Sequence, residues 1–325
     1  MQVSVGTFNL NNLFSRFNFQ AEVAGKPSAD DGGITLTFGP DDIDVRTFKG
    51  RLVKQKPEAA TEEIARRIRD EVNADVLAVQ EVEHIGILKE FNRDYLDGLY
   101  PHVALIEGND KRLIDVGILS KLPIGKITSH QTAVHPDKPN ERVFGRDLLE
   151  VEILDPAGKK LFTLYNTHLK SHFVPHTEDP IEGRKKANDR RRRQAEAISR
   201  ILTKNERKGG KFILVGDMND PPDSAFLRPM LTVDERPLTN ALAQAVETRP
   251  PKDETPGQGP GPQSPVWTHR FNPPGPDTPP EYSLYDHIWL SEALTPNLRS
   301  AHIDRRKKHG GDGSDHDPAW VVLDL

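Results

Sequence analysis

The chain reads as an α/β protein built around one shared core, and three features predict it. Short runs of β-branched and aromatic residues recur, bounded by Gly, Pro and charged turns. Three segments place apolar residues at helical spacing. Polar clusters from both ends of the chain fall at strand ends, and they can serve one site only if both halves fold together. At 325 residues the expectation is one domain, spanning 1–325, with insertions at about 16–55 and 249–280.

Taken in order, Val3 to Leu10 is a buried strand that breaks at Asn11-Asn12, and the Gly- and Asp-rich stretch that follows lacks periodicity. Pro57 opens a helix with Ala60, Ile64, Ile68 and Val72 on one side, since a missing N–H does no harm at a first helical position. Val76 to Val79 is a strand ending at Gln80-Glu81, and Gly86 to Leu96 a second helix. Strands are expected over Val103–Glu107, Val116–Leu119, Ile124–His130, Val143–Leu154 and Leu161–Thr167. Gly183 to Thr203 is a long helix with Ala187, Arg191, Ala195, Ile198 and Leu202 along one side. After a strand over Lys211–Val215 come short helical pieces at Ser224–Leu231 and Thr239–Ala245. Arg249 to Pro280 is a Pro/Gly-rich surface excursion with a strand-like island at Val266–His269. Strands over Leu284–Leu290, Leu298–Asp304 and Pro318–Leu323 close the chain.

Composition narrows the class. Hydrophobic content of 35% and charged content of 29% describe a soluble globular chain, and no run approaches the ~18 apolar residues of a membrane span. Met1 to Leu10 lacks the basic start, apolar stretch and cleavage site of a secretory signal, so a cytoplasmic location is expected. No obligate protein partner is evident. The absence of cysteine removes disulfides and thiolate zinc. A net charge of −5 gives no global attraction to a polyanion, so nucleic-acid binding would depend on a local basic patch.

The informative residues are the polar strand ends: Asn9 with Asn11, Glu81, His168, Asp217 with Asn219, Asp286 with His287, and Asp315 with His316. Buried strands end in Asp, Asn and His at a free-energy cost unless these groups converge on something. Oxygen donors without thiols point to a hard cation, with histidine left for proton or phosphate work. Each acid alone is equally well a turn former after a strand; the joint pattern argues against that.

The strings Thr7-Phe8-Asn9-Leu10-Asn11, Val79-Gln80-Glu81-Val82, Asn166-Thr167-His168-Leu169-Lys170, Gly216-Asp217-Met218-Asn219, Tyr285-Asp286-His287-Ile288 and Ser314-Asp315-His316-Asp317-Pro318 resemble, in order, the motifs of the endonuclease/exonuclease/phosphatase superfamily. The resemblance runs from Val3 to Leu323. It implies a four-layer α/β/β/α sandwich of two mixed sheets flanked by helices. It also implies a phosphodiester hydrolase dependent on Mg²⁺ or Mn²⁺. By the same resemblance Glu81 is the main metal carboxylate, supported by Asn9, Asn11 and Asp315. Asn stands at position 11 where many members carry Asp. Asp217 would position or deprotonate the attacking water with Asn219 orienting it, His316 would serve the phosphate or act as base with its tautomer set by Asp286, and His168 would face the phosphate from the other side. His287 is expected to be structural.

Substrate contacts are expected from Arg146, which resembles a family arginine on a central strand but fits a salt bridge with Asp147 or Glu150 equally well. Asn109 and Arg112 lie in a charged loop near where relatives meet substrate. Lys170, Lys185 and Arg190 belong to the most basic stretch, though consecutive helical residues splay and a solvated face balanced by Asp189 and Glu196 competes. The expected substrate is a nucleic acid, DNA foremost and RNA second. The alternative is a phosphatase or phosphodiesterase acting on a small or lipid phosphate, with Trp267 and Phe271 as apolar contacts.

Overall fold

The computed structural model describes residues 1–14, 17–19, 47–48, 51–54, 56–247, 266–271, 278–305 and 313–325. The expected insertions at about 16–55 and 249–280 fall largely outside these residues. Within the first, strands Phe17–Phe19, Arg51–Lys54 and Thr47–Phe48 form a small antiparallel sheet.

Two large mixed sheets carry the architecture. In one, the strands run Val246–Glu247, Leu298–Ile303, Ala319–Asp324, Gln2–Leu13, Val76–Val82, Asp115–Ser120, His102–Leu105. In the other they run Thr239–Asn240, Asp286–Leu290, Phe212–Asp217, Lys160–His168, Leu148–Leu154, Ile124–Ser129. Each has one parallel pair near its middle, Gln2–Leu13 with Val76–Val82 and Lys160–His168 with Phe212–Asp217.

Strand alternation explains the layers. Val3, Val5, Val76, Ala78, Phe162, Leu164, Ile213, Val215, Ile288 and Leu290 point between the sheets and form one cluster. Phe8, Leu10, Leu77 and Val79 point the other way, onto Ile64, Ile68, Leu88 and Phe91 of the first two helices. Tyr165, Phe212, Leu214 and Trp289 do the same on the second sheet, against Ala195, Ile198 and Leu202. The result is the four-layer α/β/β/α sandwich.

The helices form where the spacing places them. Glu58–Arg66 continues through wider π-type turns at Arg67–Val72 and stops at Asn73, whose φ of 42° ends it. Ile85–Asp94 is capped by His84 Nδ1, which accepts from the Ile87 N–H. Pro180–Asn205 begins at Asp179, whose carboxylate accepts from the N–H groups of Ile181 and Glu182.

Two expectations need correction. The strand expected over Val143–Leu154 covers only Leu148–Leu154. Asp147 turns aside to accept from the His130 N–H, so Arg146 sits in a loop rather than on a central strand. The expected helix at Thr239–Ala245 begins as a short edge strand, Thr239–Asn240, paired with Trp289 and Leu290. Edge pairing satisfies backbone groups that helical propensity alone would have left to a helix.

Candidate active site

The positions that face between the sheets change character at one end of the sandwich. Val3 and Val5 give way to Thr7 and Asn9; Val76 and Ala78 to Gln80; Phe162 and Leu164 to Asn166 and His168; Ile213 and Val215 to Asp217; Leu290 and Ile288 to Asp286. Asn166 joins the sheets beneath the site. Its amide donates to the Val79 and Gly117 carbonyls at 3.1 and 2.9 Å and accepts from Gln80 Nε2 at 2.9 Å. Every one of these polar groups is buried, so the mutual bonds offset their desolvation.

Asp217 is the centre. Its Oδ1 accepts from the Asn219 N–H at 2.8 Å, and its Oδ2 accepts from Asn9 Nδ2 at 3.0 Å. The same Oδ2 lies 3.4 Å from His168 Nε2 and 3.8 Å from His316 Nε2. Burial pushes the Asp217 carboxyl above the ordinary carboxylate range, although His316 pulls it back. His316 Nδ1 sits 2.7 Å from Asp286 Oδ2. Burial alone would discharge this imidazole, but Asp286 and Asp217 outweigh it and hold its pKa well above the usual value. His168 goes the other way. Buried and facing Arg146, Arg112 and His316, it stays neutral, its pKa well below 6.5. Its Nδ1 is buried without a hydrogen-bond partner among the described residues.

Backbone geometry supplies two of the groups. By parity Glu81 belongs on the helix-facing side with Leu77 and Val79. A φ of 60° and a register shift between Gln80 and Val82 turn it toward the site, with Oε1 4.0 Å from His168 Nε2. Asn219, at φ 52°, turns likewise, and its Nδ2 donates to the Leu169 carbonyl at 3.1 Å. Left-handed backbone at Glu81 costs on the order of 1 kcal/mol, a strain seen where function demands it.

The C-terminal loop is bolted down from below. Asp317 meets Arg67 Nη2 at 2.9 Å and Arg305 Nη1 at 3.4 Å, and Arg67 Nε also meets Asp304 at 2.8 Å, all buried. Ser314 Oγ donates to the Asn9 carbonyl at 2.7 Å and accepts from the His316 N–H at 3.0 Å. Thr268 Oγ1 accepts from the Asp286 N–H at 3.0 Å. His287 faces away, its Nε2 2.9 Å from the Leu284 carbonyl and its Nδ1 accepting from Trp289 Nε1.

Beside Asn11 sits a cation supplied by the chain itself, within the field of Glu81 and Asp315. Lys56 Nζ donates to the Asn11 carbonyl at 2.7 Å. Its pKa is lowered to about 8 by burial, with Glu81 and Asp315 pulling it back up. Glu81 and Asp315 only partly offset that burial, and the oxygen donors of Glu81, Asn11 and Asp315 suit a divalent cation of the hard, oxygen-seeking kind. Asn9 spends its amide on Asp217 and its Oδ1 on the Asn11 N–H.

Beside His168 opens a cleft of about 550 Å³ lined by Lys111, Arg112, Arg146, Lys170, Lys186 and Arg190. Among the described residues, only Asp110 and Glu178 oppose them in charge there. Arg146 pairs with Asp110 at 3.3 Å and donates to the Leu169 carbonyl at 3.2 Å. Lys170 donates to the carbonyls of Ser171 and Phe173, and its pKa falls to about 8 through burial and the surrounding arginines. Arg112 and Arg146, from two loops, therefore line one cleft with Lys170 and Arg190. Lys185 does not line the cleft. On the Pro180–Asn205 helix the facing positions are Gly183, Lys186, Ala187, Arg190 and Gln194, and Lys185 is exposed to one side. Asn109 braces the loop, its Nδ2 donating to the Gln131 and Phe144 carbonyls.

The sequence profile of the endonuclease/exonuclease/phosphatase family matches residues 6–316. The chain belongs to this family. Phosphoester hydrolysis is its chemistry, and the chain is a hydrolase of phosphoester bonds. Solved structures share the fold at low identity. A family protein from Bacteroides vulgatus superposes with a TM-score of 0.56 at 17% identity, covering 100% of this chain and 99% of its own. An AP endonuclease from Archaeoglobus fulgidus gives 0.54 at 14% identity, with 99% and 100% covered. A Neisseria 3' phosphatase bound to a product DNA hairpin gives 0.51 at 13%, also with 99% and 100% covered. No curated protein sequence matches the chain. None of the described helices is long and apolar enough to cross a membrane.

Residues that sequence reasoning passed over include Lys56, Thr268 and the Arg67–Asp317 bolt. Lys56, Thr268 and Arg67 carry no local signal, and Asp317 lay inside the last motif without an assigned role. Gln80 and Asn166 lay inside the motifs, and strand parity alone assigns them to the inner face.

Proposed function

We propose that this protein is a divalent-metal-dependent nuclease that cleaves DNA. The observation that carries the reading is the cleft next to His168, where six basic side chains face two acids in a chain of net charge −5. Lys170 in particular is held among arginines, a position that a phosphate relieves. The endonuclease and DNA-bound phosphatase that share the fold support the same substrate class.

Glu81, Asn11 and Asp315 would hold Mg²⁺ or Mn²⁺, which supplies charge neutralisation on the phosphoryl group. The chain's own residues do the rest. Asp217, its carboxyl raised toward neutrality by burial, takes the proton of the attacking water, and Asn9 and the Asn219 N–H fix its two oxygens. His316, kept cationic by Asp286, faces a non-bridging phosphate oxygen. Neutral His168 presents Nε2–H between Asp217 and Glu81 and contacts the phosphate from the other side. Arg146 and Lys170 bind the neighbouring phosphate. Of the two apolar contacts a lipid reading would use, Trp267 lies buried under the Arg305 guanidinium, 3.8 Å from its ring centroid, and only Phe271 is exposed.

The test compares wild type with Lys186→Ala/Arg190→Ala on duplex DNA and on a small chromogenic phosphodiester, across a salt series with Mg²⁺ or EDTA. DNA cleavage should fall, with a salt slope shallower by about one unit for each phosphate the variant no longer neutralises, while small-substrate turnover persists. EDTA should abolish both. Undiminished DNA cleavage by the variant, or hydrolysis of lipid or inositol phosphates without any of DNA, rejects the proposal.

A further inference from the structure

We infer that His269, Asp315 and His316 form a second cation site, selective for borderline transition ions such as Zn²⁺ or Co²⁺. One ligand atom from each lies within 4.8 Å of the others. His269 Nε2 is 3.8 Å from Asp315 Oδ2, and Asp315 is half exposed, so an ion has a way in. The donors of a tetrahedral zinc with bonds near 2.0–2.1 Å lie about 3.3 Å apart, a contraction that side-chain rotation supplies.

The surroundings are built for ligation. His316 Nδ1 is already engaged by the buried carboxylate of Asp286 at 2.7 Å. That is the arrangement in which a ligating imidazole turns its other nitrogen to a metal, its tautomer and orientation set by the carboxylate behind it. His269 is held from two sides. Its ring stacks on Tyr285 with centroids 5.0 Å apart, and it faces His316 at 4.8 Å. A backbone bridge joins His269 to His316, so the two residues are held side by side while their rings can still rotate toward an ion. Two imidazoles and one carboxylate make a donor set that Mg²⁺ disfavours and Zn²⁺ or Co²⁺ prefers. The site shares Asp315 and His316 with the hydrolytic centre. On the phosphoesterase reading above, filling it removes both from that centre, so Zn²⁺ acts as an inhibitor that competes against turnover in Mg²⁺.

The experiment adds Co²⁺ to the metal-free, untagged full chain and follows contact-shifted imidazole protons by NMR, with Zn²⁺ affinity measured by calorimetry. Wild type should show two ligating histidines at one equivalent. His269→Phe, which keeps the stack on Tyr285, should show one and bind Zn²⁺ at least ~10-fold more weakly. Asp315→Asn, on an exposed side chain, serves as a second variant, and far-UV circular dichroism confirms each fold. Absence of shifted histidine signals in wild type, or signals that survive His269→Phe and Asp315→Asn unchanged, overturns the site. Hydrolysis in Mg²⁺ by the same preparations reports separately on the phosphoesterase reading.

Discussion

Replacing Asp286 by Asn removes the charge that keeps His316 protonated while preserving shape. The carboxylate is fully buried and 2.7 Å from His316 Nδ1, with Asp217 a more distant second partner at 3.8 Å. Unit charges about 4 Å apart at an effective dielectric of about 20 interact by ~4 kcal/mol. Asp286→Asn should therefore lower the His316 pKa, because it removes the stronger of the two carboxylate charges that hold it up against burial. The rate should fall by ~10²–10⁴-fold, as should that of His316→Ala. Because the two residues act as one unit, the double variant should be little worse than either single one. The imidazole titration is read by NMR and the rates by steady-state cleavage. Stability carries the same sign. A raised folded pKa makes the pair's contribution complete below the unfolded value of about 6.5 and lost as pH rises through the folded one. The melting-temperature gap between wild type and Asp286→Asn should thus close at high pH. Multiplicative rate losses, or an unmoved His316 titration, would refute the argument.

Three further outcomes follow from the packing. Arg67→Met leaves Asp304 and Asp317 buried without their main partner, so urea unfolding should show a loss of about 3–5 kcal/mol. Gly216 has φ 133°, and a Cβ there would stand 1.9 Å from the Thr167 carbonyl oxygen; Gly216→Ala should cost on the order of 3 kcal/mol or more in the same assay. Burial raises the Asp115 pKa to about 7, so the folded protein holds a proton the unfolded chain releases near 3.9, and stability falls as pH rises between these values, by up to about 4 kcal/mol. Asp115→Asn retains an acceptor for the Gly108 N–H, which the carboxylate now takes at 2.8 Å, so its urea midpoint should exceed that of wild type at pH 8 and match it near pH 4.

Much of this protein is local in its sequence and some of it is not. Period-two alternation ending in Asn9, His168, Asp217 and Asp286 is a property of each strand by itself, because successive side chains must point to opposite faces. Ordered motifs then identify the family, and with it the pairing of two sheets. Tertiary structure alone decided which neighbours meet. Glu81 reaches the site through a left-handed backbone that its strand pattern contradicts, and Lys56 comes to Asn11 across 45 residues of chain. The rotation of one helix selected Lys186 over Lys185 for the cleft, a difference of one residue that composition cannot register. Arg67 and Asp317, 250 residues apart, found each other because a buried charge tolerates burial only with a partner, and the fold alone determines which partner is within reach.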